Sequence, residues 1–496
     1  MDRRKFFGAA AGVAGACLLP RRVAWGAAPA DLPAIGLDGR EVVLRGRDVA
    51  DFRAALRGQV LAAGDGGYDA ARRIWNGIFD QHPALIARCA DAGDVARAVD
   101  FARTHGLLLA VRGGGHSLSG QSVCEGGLML DLSAMRAVLV DAAKRVAHVE
   151  GGALLGELDR ATQQHGLATP AGRISHTGVA GLTLGGGFGR LTRRFGLACD
   201  NLLAAEVVTA DGSLVLAGES GNPELLWGLQ GGGGNFGVVT RFQFRLHPVE
   251  PGMYGGAIAW PLREARRVLG FYAGFLEDVP DELFIDAMLA SLPEAGPVVL
   301  FSVCCTCPPS RAEDLLKPLR QQGKPLLDAL GPATYVALQS ANDADSAPGR
   351  GNYERSGFLT SISPALLDAA VAAMQAPRPP GARMIFSGEC GGAFSRVPAG
   401  ATAFYNRDAR STIIVQAQWP DPRDTAAADA HLQWARSTWE SIAPHTRGFY
   451  VNTVAADDPA QRIRATYGDN HPRLVALKRR YDPGNLFRRN ANIPPV

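Results

Sequence analysis

A chain of 496 residues, 47% hydrophobic and 20% charged, is long enough for two or three packed lobes, each with its own core. Its 60 glycines follow no three-residue period, which excludes a collagen-like chain. The net charge of +3, with no long Lys/Arg run interleaved with aromatics, argues against a nucleic-acid partner.

In chain order, the first element is an export leader over residues 1–30. Arg3-Arg4-Lys5-Phe6-Phe7 precedes an uncharged stretch from Gly8 to Leu19 and the small-residue segment Ala24-Trp25-Gly26-Ala27. Paired arginines point to the twin-arginine export machinery, ahead of a basic Sec signal, and so to a periplasmic or secreted protein. As a helix the apolar stretch would span only ~18 Å, too short to cross a bilayer.

Residues 50–110 read as helices around a short entry segment. Val95, Ala98, Val99 and Ala102 share one helical face, with Asp91 or Asp94 as the cap and Gly106 as the stop. The apolar run Leu107–Arg112 then reads as a buried strand that ends in Gly113-Gly114-Gly115-His116. From there to about 250, short strands alternate with glycine turns, and Asp211-Gly212 marks a hairpin. Residues 250 to about 440 change to alternating strands, such as Val298–Phe301 and Thr412–Trp419, with helices between. A last helix is expected over Pro472–Arg480.

Seven cysteines lie beyond Cys17, an odd and scattered set that is not a disulfide framework. Cys304-Cys305-Thr306-Cys307 is the only cluster, and without a second pair or nearby histidines it is not a zinc site. No metal is expected. Buried strand thiols are the better reading, with one disulfide open to an exported chain.

Arg112-Gly113-Gly114-Gly115-His116-Ser117 follows a strand and would present consecutive backbone N–H groups with no Cβ in the way, as a pyrophosphate requires. One glycine triplet would more often be a structural turn. Two further clusters, Gly178 to Gly189 and Gly231 to Gly237, change that balance. None forms Gly-x-Gly-x-x-Gly at the mouth of a compact βαβ unit with an acid about 20 residues on, which disfavours a Rossmann site.

These motifs, with Thr169-Pro170-Ala171-Gly172 into Ser175-His176-Thr177-Gly178, Leu226-Trp227-Gly228 before the third cluster, and the tail Tyr467-Gly468-Asp469-Asn470 through Asn490-Ala491-Asn492-Ile493-Pro494-Pro495, resemble the berberine-bridge-enzyme-like FAD-linked oxidases of the vanillyl-alcohol-oxidase, or PCMH-type, FAD-binding fold. The resemblance covers nearly the whole chain beyond the leader. It implies an α+β protein. The FAD-binding domain, in two subdomains, would span residues 35–250, and an α/β substrate domain with an antiparallel sheet 251–440. A berberine-like segment, 441–496, would return to the first.

The resemblance further implies FAD joined covalently to His116 through the flavin 8α-methyl carbon. Gly113, Gly114, Gly115 and Ser117 would lie on the pyrophosphate, Ser175, His176, Gly178 and Gly181 alongside the dinucleotide, Val239 near the adenine, and Asn490 and Asn492 at the ring or ribityl chain. Relatives often carry a second, cysteine linkage where this chain has Ile174, so a single linkage is expected; Cys124 and Cys199 read as structural thiols. Tyr450, in Tyr450-Val451-Asn452, is the implied base, although an ordinary tyrosine pKa of about 10 requires help from a neighbour. Gln416 or Gln418 would orient a small-molecule substrate. Thr177, being small, would leave O2 a path to the flavin.

The function expected is hydride abstraction from an alcohol, sugar or amine carbon, with O2 reduced to hydrogen peroxide. The alternatives are a dehydrogenase with another acceptor and a flavin-less binding protein.

Overall fold

The computed structural model describes residues 30–250 and 252–496. The expected leader, save its last position, lies outside the described residues. Among these, no helix is long and apolar enough to cross a membrane.

The first lobe is built in two layers. In the first, the helix Ala92–Thr104 buries Val95, Ala98, Val99 and Ala102, and Asp91 caps it by accepting the Asp94 N–H at 3.0 Å. That helix carries the chain from the strand Leu85–Arg88 to the strand Leu109–Arg112. Both strands run parallel to Leu128–Asp131, which lies between them, and Gln59–Leu61 adds an antiparallel edge. Strands joined in parallel need a crossover of this kind. The second layer is an antiparallel sheet in the order Leu214–Gly218, Leu202–Val208, Val238–Arg245, Val146–Glu150, Val138–Asp141. Its first hairpin turns at Asp211-Gly212, where Asp211 accepts the Ser213 N–H at 3.0 Å.

The second lobe is an antiparallel sheet whose strands follow the order Leu327–Asp328, Gly252–Pro261, Gly296–Cys305, Leu283–Leu292, Arg383–Ser387, Ser411–Trp419, Gly351–Leu359. Side chains alternate between its faces. One face, with Trp260, Phe301, Met384, Val415 and Trp419, packs into the core that includes residues of the helices Ala265–Asp278, Pro364–Gln375 and Thr425–Ile442. The opposite face looks onto a cavity shared with the first lobe.

Two of the connections between the lobes help set their register. Trp75 donates its ring N–H to the Ser346 carbonyl at 2.6 Å, and the Asn76 amide donates to the Leu118 and Asn352 carbonyls at 2.6 and 2.9 Å. The second connection is the chain's return: Leu486 and Phe487 enter one core of the first lobe, and Ala491 and Ile493 the other.

The cysteine cluster contains a Cys305–Cys307 disulfide. Cys89, Cys124, Cys199, Cys304 and Cys390 are free and buried, and burial pushes the Cys124 thiol up to about 12.

The return is fastened by a buried ion pair. Lys478, in the helix His471–Tyr481, has no exposed surface and donates to Asp482 at 2.7 Å, to the Asn235 carbonyl at 2.8 Å and to the Phe487 carbonyl at 2.9 Å. Asp482 accepts the Leu486 and Phe487 N–H groups, each at 2.8 Å. Removing one partner strands the other charge in the interior. Lys478→Met is expected to cost about 3–5 kcal/mol, read from the urea midpoint, and a midpoint within error of the parent would show that the pair does not hold the tail.

Candidate active site

A cavity of about 520 Å³ runs between the lobes. Its first-lobe wall is glycine backbone. Gly114 and Gly178 cross so closely that a Cβ on Gly114 would lie 2.4 Å from both the N and the Cα of Gly178, and a Cβ on Gly178 would lie 2.4 Å from the Gly114 N. Only two glycines can pass in this way, and the crossing joins the first two glycine clusters into one surface. Gly115 then takes φ +68°, which turns the chain so that His116 follows directly.

His116 is held by stacking. Its ring lies 4.2 Å from the Trp75 ring at 15°, and the Trp75 N–H donates to the Gly115 carbonyl at 2.9 Å. The His176 ring is 5.1 Å from it on the other glycine loop. Burial, with His176 beside it, pulls the imidazole down to about 3, so it is neutral at physiological pH. Its Nε2 is buried and has no hydrogen-bond partner, and the same is true of Asn490 Oδ1, whose residue also lines the cavity. Buried polar atoms left unsatisfied in this way mark a site shaped for something else to meet them.

Of the residues singled out in the sequence, Gly113, Gly114, Gly115, His116 and Ser117 line the cavity from the first motif, and Thr177, Gly178 and Gly181 from the second. Val239, Asn490, Gln416 and Tyr450 line it as well. Three others stand differently. Ser175 does not line the cavity: its N–H donates to Asp343 at 2.8 Å and its hydroxyl donates to the same carboxylate, so it fastens the glycine loop to the second lobe. His176 meets the cavity only through its contact with His116. Asn492 does not line the cavity; Asn490 and Ala491 do.

Gln416 and Gln418 share a strand, and of the two only Gln416 lines the cavity. Gln418 is spent on structure, donating to Asn352 Oδ1 at 2.9 Å. Gln416 sits opposite Glu354 on one neighbouring strand and opposite Arg383 on the other. Its amide N–H donates to Glu354 and its carbonyl accepts from Arg383. A carboxylate only accepts and a guanidinium only donates, so this pair fixes the amide's orientation. Burial raises the Glu354 carboxyl above its ordinary value and lowers Arg383 below its own.

Tyr450 is half-buried in the cavity wall. Its hydroxyl oxygen accepts from the Asn452 amide at 2.7 Å and from the Gly187 N–H at 3.1 Å. Both donors are neutral, and burial pushes the phenol well above its ordinary range in spite of them. The charged neighbour that a tyrosine base requires does not hydrogen-bond to it, so the phenol keeps its proton at neutral pH. Farther along the cavity, Arg173 pairs with Asp286 and stands 3.2 Å from Glu389. Glu354, Arg383, Arg173, Asp286 and Glu389 had no signal in the sequence. They are isolated charges on separate segments that meet only through strand pairing and the closing of the lobes.

The first-lobe wall fits a flavin dinucleotide. It offers a backbone cradle that any Cβ would fill, and a neutral, partnerless imidazole at its end.

Residues 83–218 match the family model for an FAD binding domain, and residues 449–494 match that for berberine and berberine like proteins. An FAD-linked oxidoreductase of Dictyostelium discoideum is 32% identical over 453 residues, covering 90% of this chain and 97% of its own length. The (R)-6-hydroxynicotine oxidase of Paenarthrobacter nicotinovorans is 31% identical, with 89% and 97% covered. Among solved structures, 6-hydroxy-D-nicotine oxidase from Arthrobacter nicotinovorans superposes with a TM-score of 0.81 at 30% identity, covering 89% of this chain and 98% of its own. A glucooligosaccharide oxidase from Acremonium strictum shares the fold at a TM-score of 0.83 and 23% identity, with 90% and 99% covered. With nearly its whole described length aligned to such proteins, and a glycine-walled cavity where the FAD model matches, the chain belongs to the berberine-bridge-enzyme-like FAD-linked oxidoreductases of PCMH-type fold.

Proposed function

We propose that the chain is an oxidase that carries FAD on His116 by a single covalent bond, removes hydride from a carbon bearing oxygen or nitrogen, and passes the electrons to O2. The observation that carries this is the neutral, buried and partnerless His116 imidazole beside the Gly114–Gly178 crossing. A neutral imidazole has the lone pair needed to form a bond to carbon. No cysteine is among the described residues that line the cavity, and Ile174 stands on its wall, which supports one linkage over two.

When bound, FAD accepts the hydride and delivers two electrons to O2, giving hydrogen peroxide. The chain's own part is to hold the substrate and move its proton. Tyr450, as a neutral phenol with both lone pairs occupied, donates its O–H to the substrate heteroatom and orients it. Glu354 takes the proton. Its raised pKa brings it nearer the working pH, and Gln416 holds it in place. Glu354 lies two residues from Ser356 on the strand Gly351–Leu359, and Ser356 accepts the Tyr450 N–H at 3.4 Å, so base and orienting group stand on one rigid frame. Thr177 on the wall leaves the O2 path open. The Arg3-Arg4 leader supports export of the folded holoprotein by the twin-arginine route to the periplasm.

Purified protein is expected to be yellow and to keep its flavin through acid precipitation, while His116→Ala releases it. Flavin that leaves the parent chain in acid would overturn the covalent linkage, and turnover without hydrogen peroxide would replace the oxidase with a dehydrogenase.

Glu354→Gln is expected to lower kcat about 10²–10⁴-fold with a small effect on KM. The sign of the pH effect follows from the raised pKa: the parent's rate falls as pH drops through that value and the carboxylate protonates, and the variant lacks this acidic limb. An unchanged pH profile in Glu354→Gln would remove it as the base.

A further inference from the structure

We infer that the substrate has an apolar, ring-sized body carrying the alcohol or amine carbon, and that it is not an oligosaccharide. This rests on the oxidase reading and narrows it. The inference comes from the register of the second-lobe sheet.

Leu300 stands opposite Met288, Met288 opposite Ile385, and Ile385 opposite Ile414. These four residues thus form one straight row across four adjacent strands, and all four line the cavity. Their sequence neighbours Val299, Leu289, Met384 and Val415 point to the other face and are fully buried in the lobe's core. Leu300 and Met288 pack with Ala259 and Val298, whereas Ile385 and Ile414 are surplus to the core. Met288, Ile385 and Ile414 keep part of their surface open, and neither Ile385 nor Ile414 belongs to any apolar cluster among the described residues.

Polar rows flank it on both sides. Glu354, Gln416 and Arg383 form one, and Ser302 with Asp286 and Ser387 with Thr412 form the other, each pair set directly across its strands. The sheet thus presents an aliphatic strip with a hydrogen-bonding border. An apolar strip facing a cavity is covered favourably by apolar surface, and the few polar groups beside it fix orientation. A sugar ring carries a hydroxyl on nearly every carbon and so has less apolar surface to give an aliphatic strip than a hydrocarbon ring of the same size. The one aromatic that continues these rows, Phe358 opposite Thr412, is buried among Phe188, Phe394 and Phe404 and does not line the cavity, so the rows themselves offer no flat platform to a pyranose ring.

The test is calorimetric titration of the holoenzyme with its flavin reduced beforehand and O2 excluded, so that the heat reads binding and no turnover occurs. The apolar probes are 1-phenylethanol, 1-phenylethylamine and 1-indanol, and the sugar probes are cellobiose, maltotriose and chitobiose. At least one apolar probe is expected to bind ten-fold or more tightly than every sugar. Ile414→Asn and Met288→Gln, each placing a polar group in the strip, are expected to weaken that probe by ten-fold or more while flavin content per chain stays at the parent level. Tighter binding of a sugar, binding of neither class, or variants that leave the probe's affinity unchanged would overturn the inference. Failure of the oxidase reading shows separately, as a colourless preparation or as turnover without peroxide.

Discussion

The crossing of Gly114 and Gly178 is the constraint on which the site depends. Two chain segments more than sixty residues apart approach until no side chain fits between them, and everything near them is placed by that approach. His116 lies two residues past one glycine and His176 two residues before the other, so their rings meet because the backbones do. A methyl group at either glycine would separate the loops and open the wall. The cradle, the imidazole and the stacking partner Trp75 are one mechanical unit. Trp75 in turn reaches Ser346 in the second lobe, so the same unit helps set where the lobes meet.

The parts of the molecule that were legible in the sequence are those written in contiguous residues. A backbone cradle needs glycines in runs, and the runs at 113–115, 178–189 and 231–237 announced it. The helix Ala92–Thr104 announced itself by its apolar spacing, and the hairpin by Asp211-Gly212. Because the tail's motif is also contiguous, its return to the first lobe could be anticipated. Tyr450 was singled out as a base and lines the cavity, but its protonation could not be read, because burial and the Asn452 and Gly187 donors are properties of the fold.

The second lobe's chemistry was hidden for a different reason. Glu354, Arg383 and Gln416 are separated by about thirty residues each, and nothing in any one of their segments distinguishes them from ordinary strand residues. Their alignment is a matter of register, and a slip of one residue would send all three to the core face. The apolar row of Leu300, Met288, Ile385 and Ile414 has the same origin. Ser175 shows the opposite failure: it sits inside a legible motif, yet its side chain turns outward to Asp343, a direction that only the neighbouring lobe decides.

The cavity therefore has two electrical halves. The first-lobe half is largely glycine backbone with a histidine that burial keeps neutral, and a group depressed to about 3 has no proton to gain or lose near neutral pH. The second-lobe half holds charges in opposition, Glu354 with Arg383 across Gln416 and Asp286 with Arg173 reaching across from the first lobe, and burial shifts Glu354 and Arg383 toward their neutral forms. On the proposed reading, the proton that leaves with the substrate's electrons is handled among these charges, while the glycine wall holds the cofactor. This division explains why the cofactor-facing residues follow a dense motif and the substrate-facing ones do not: backbone geometry admits few sequences, whereas a charge network set by register can be redrawn strand by strand.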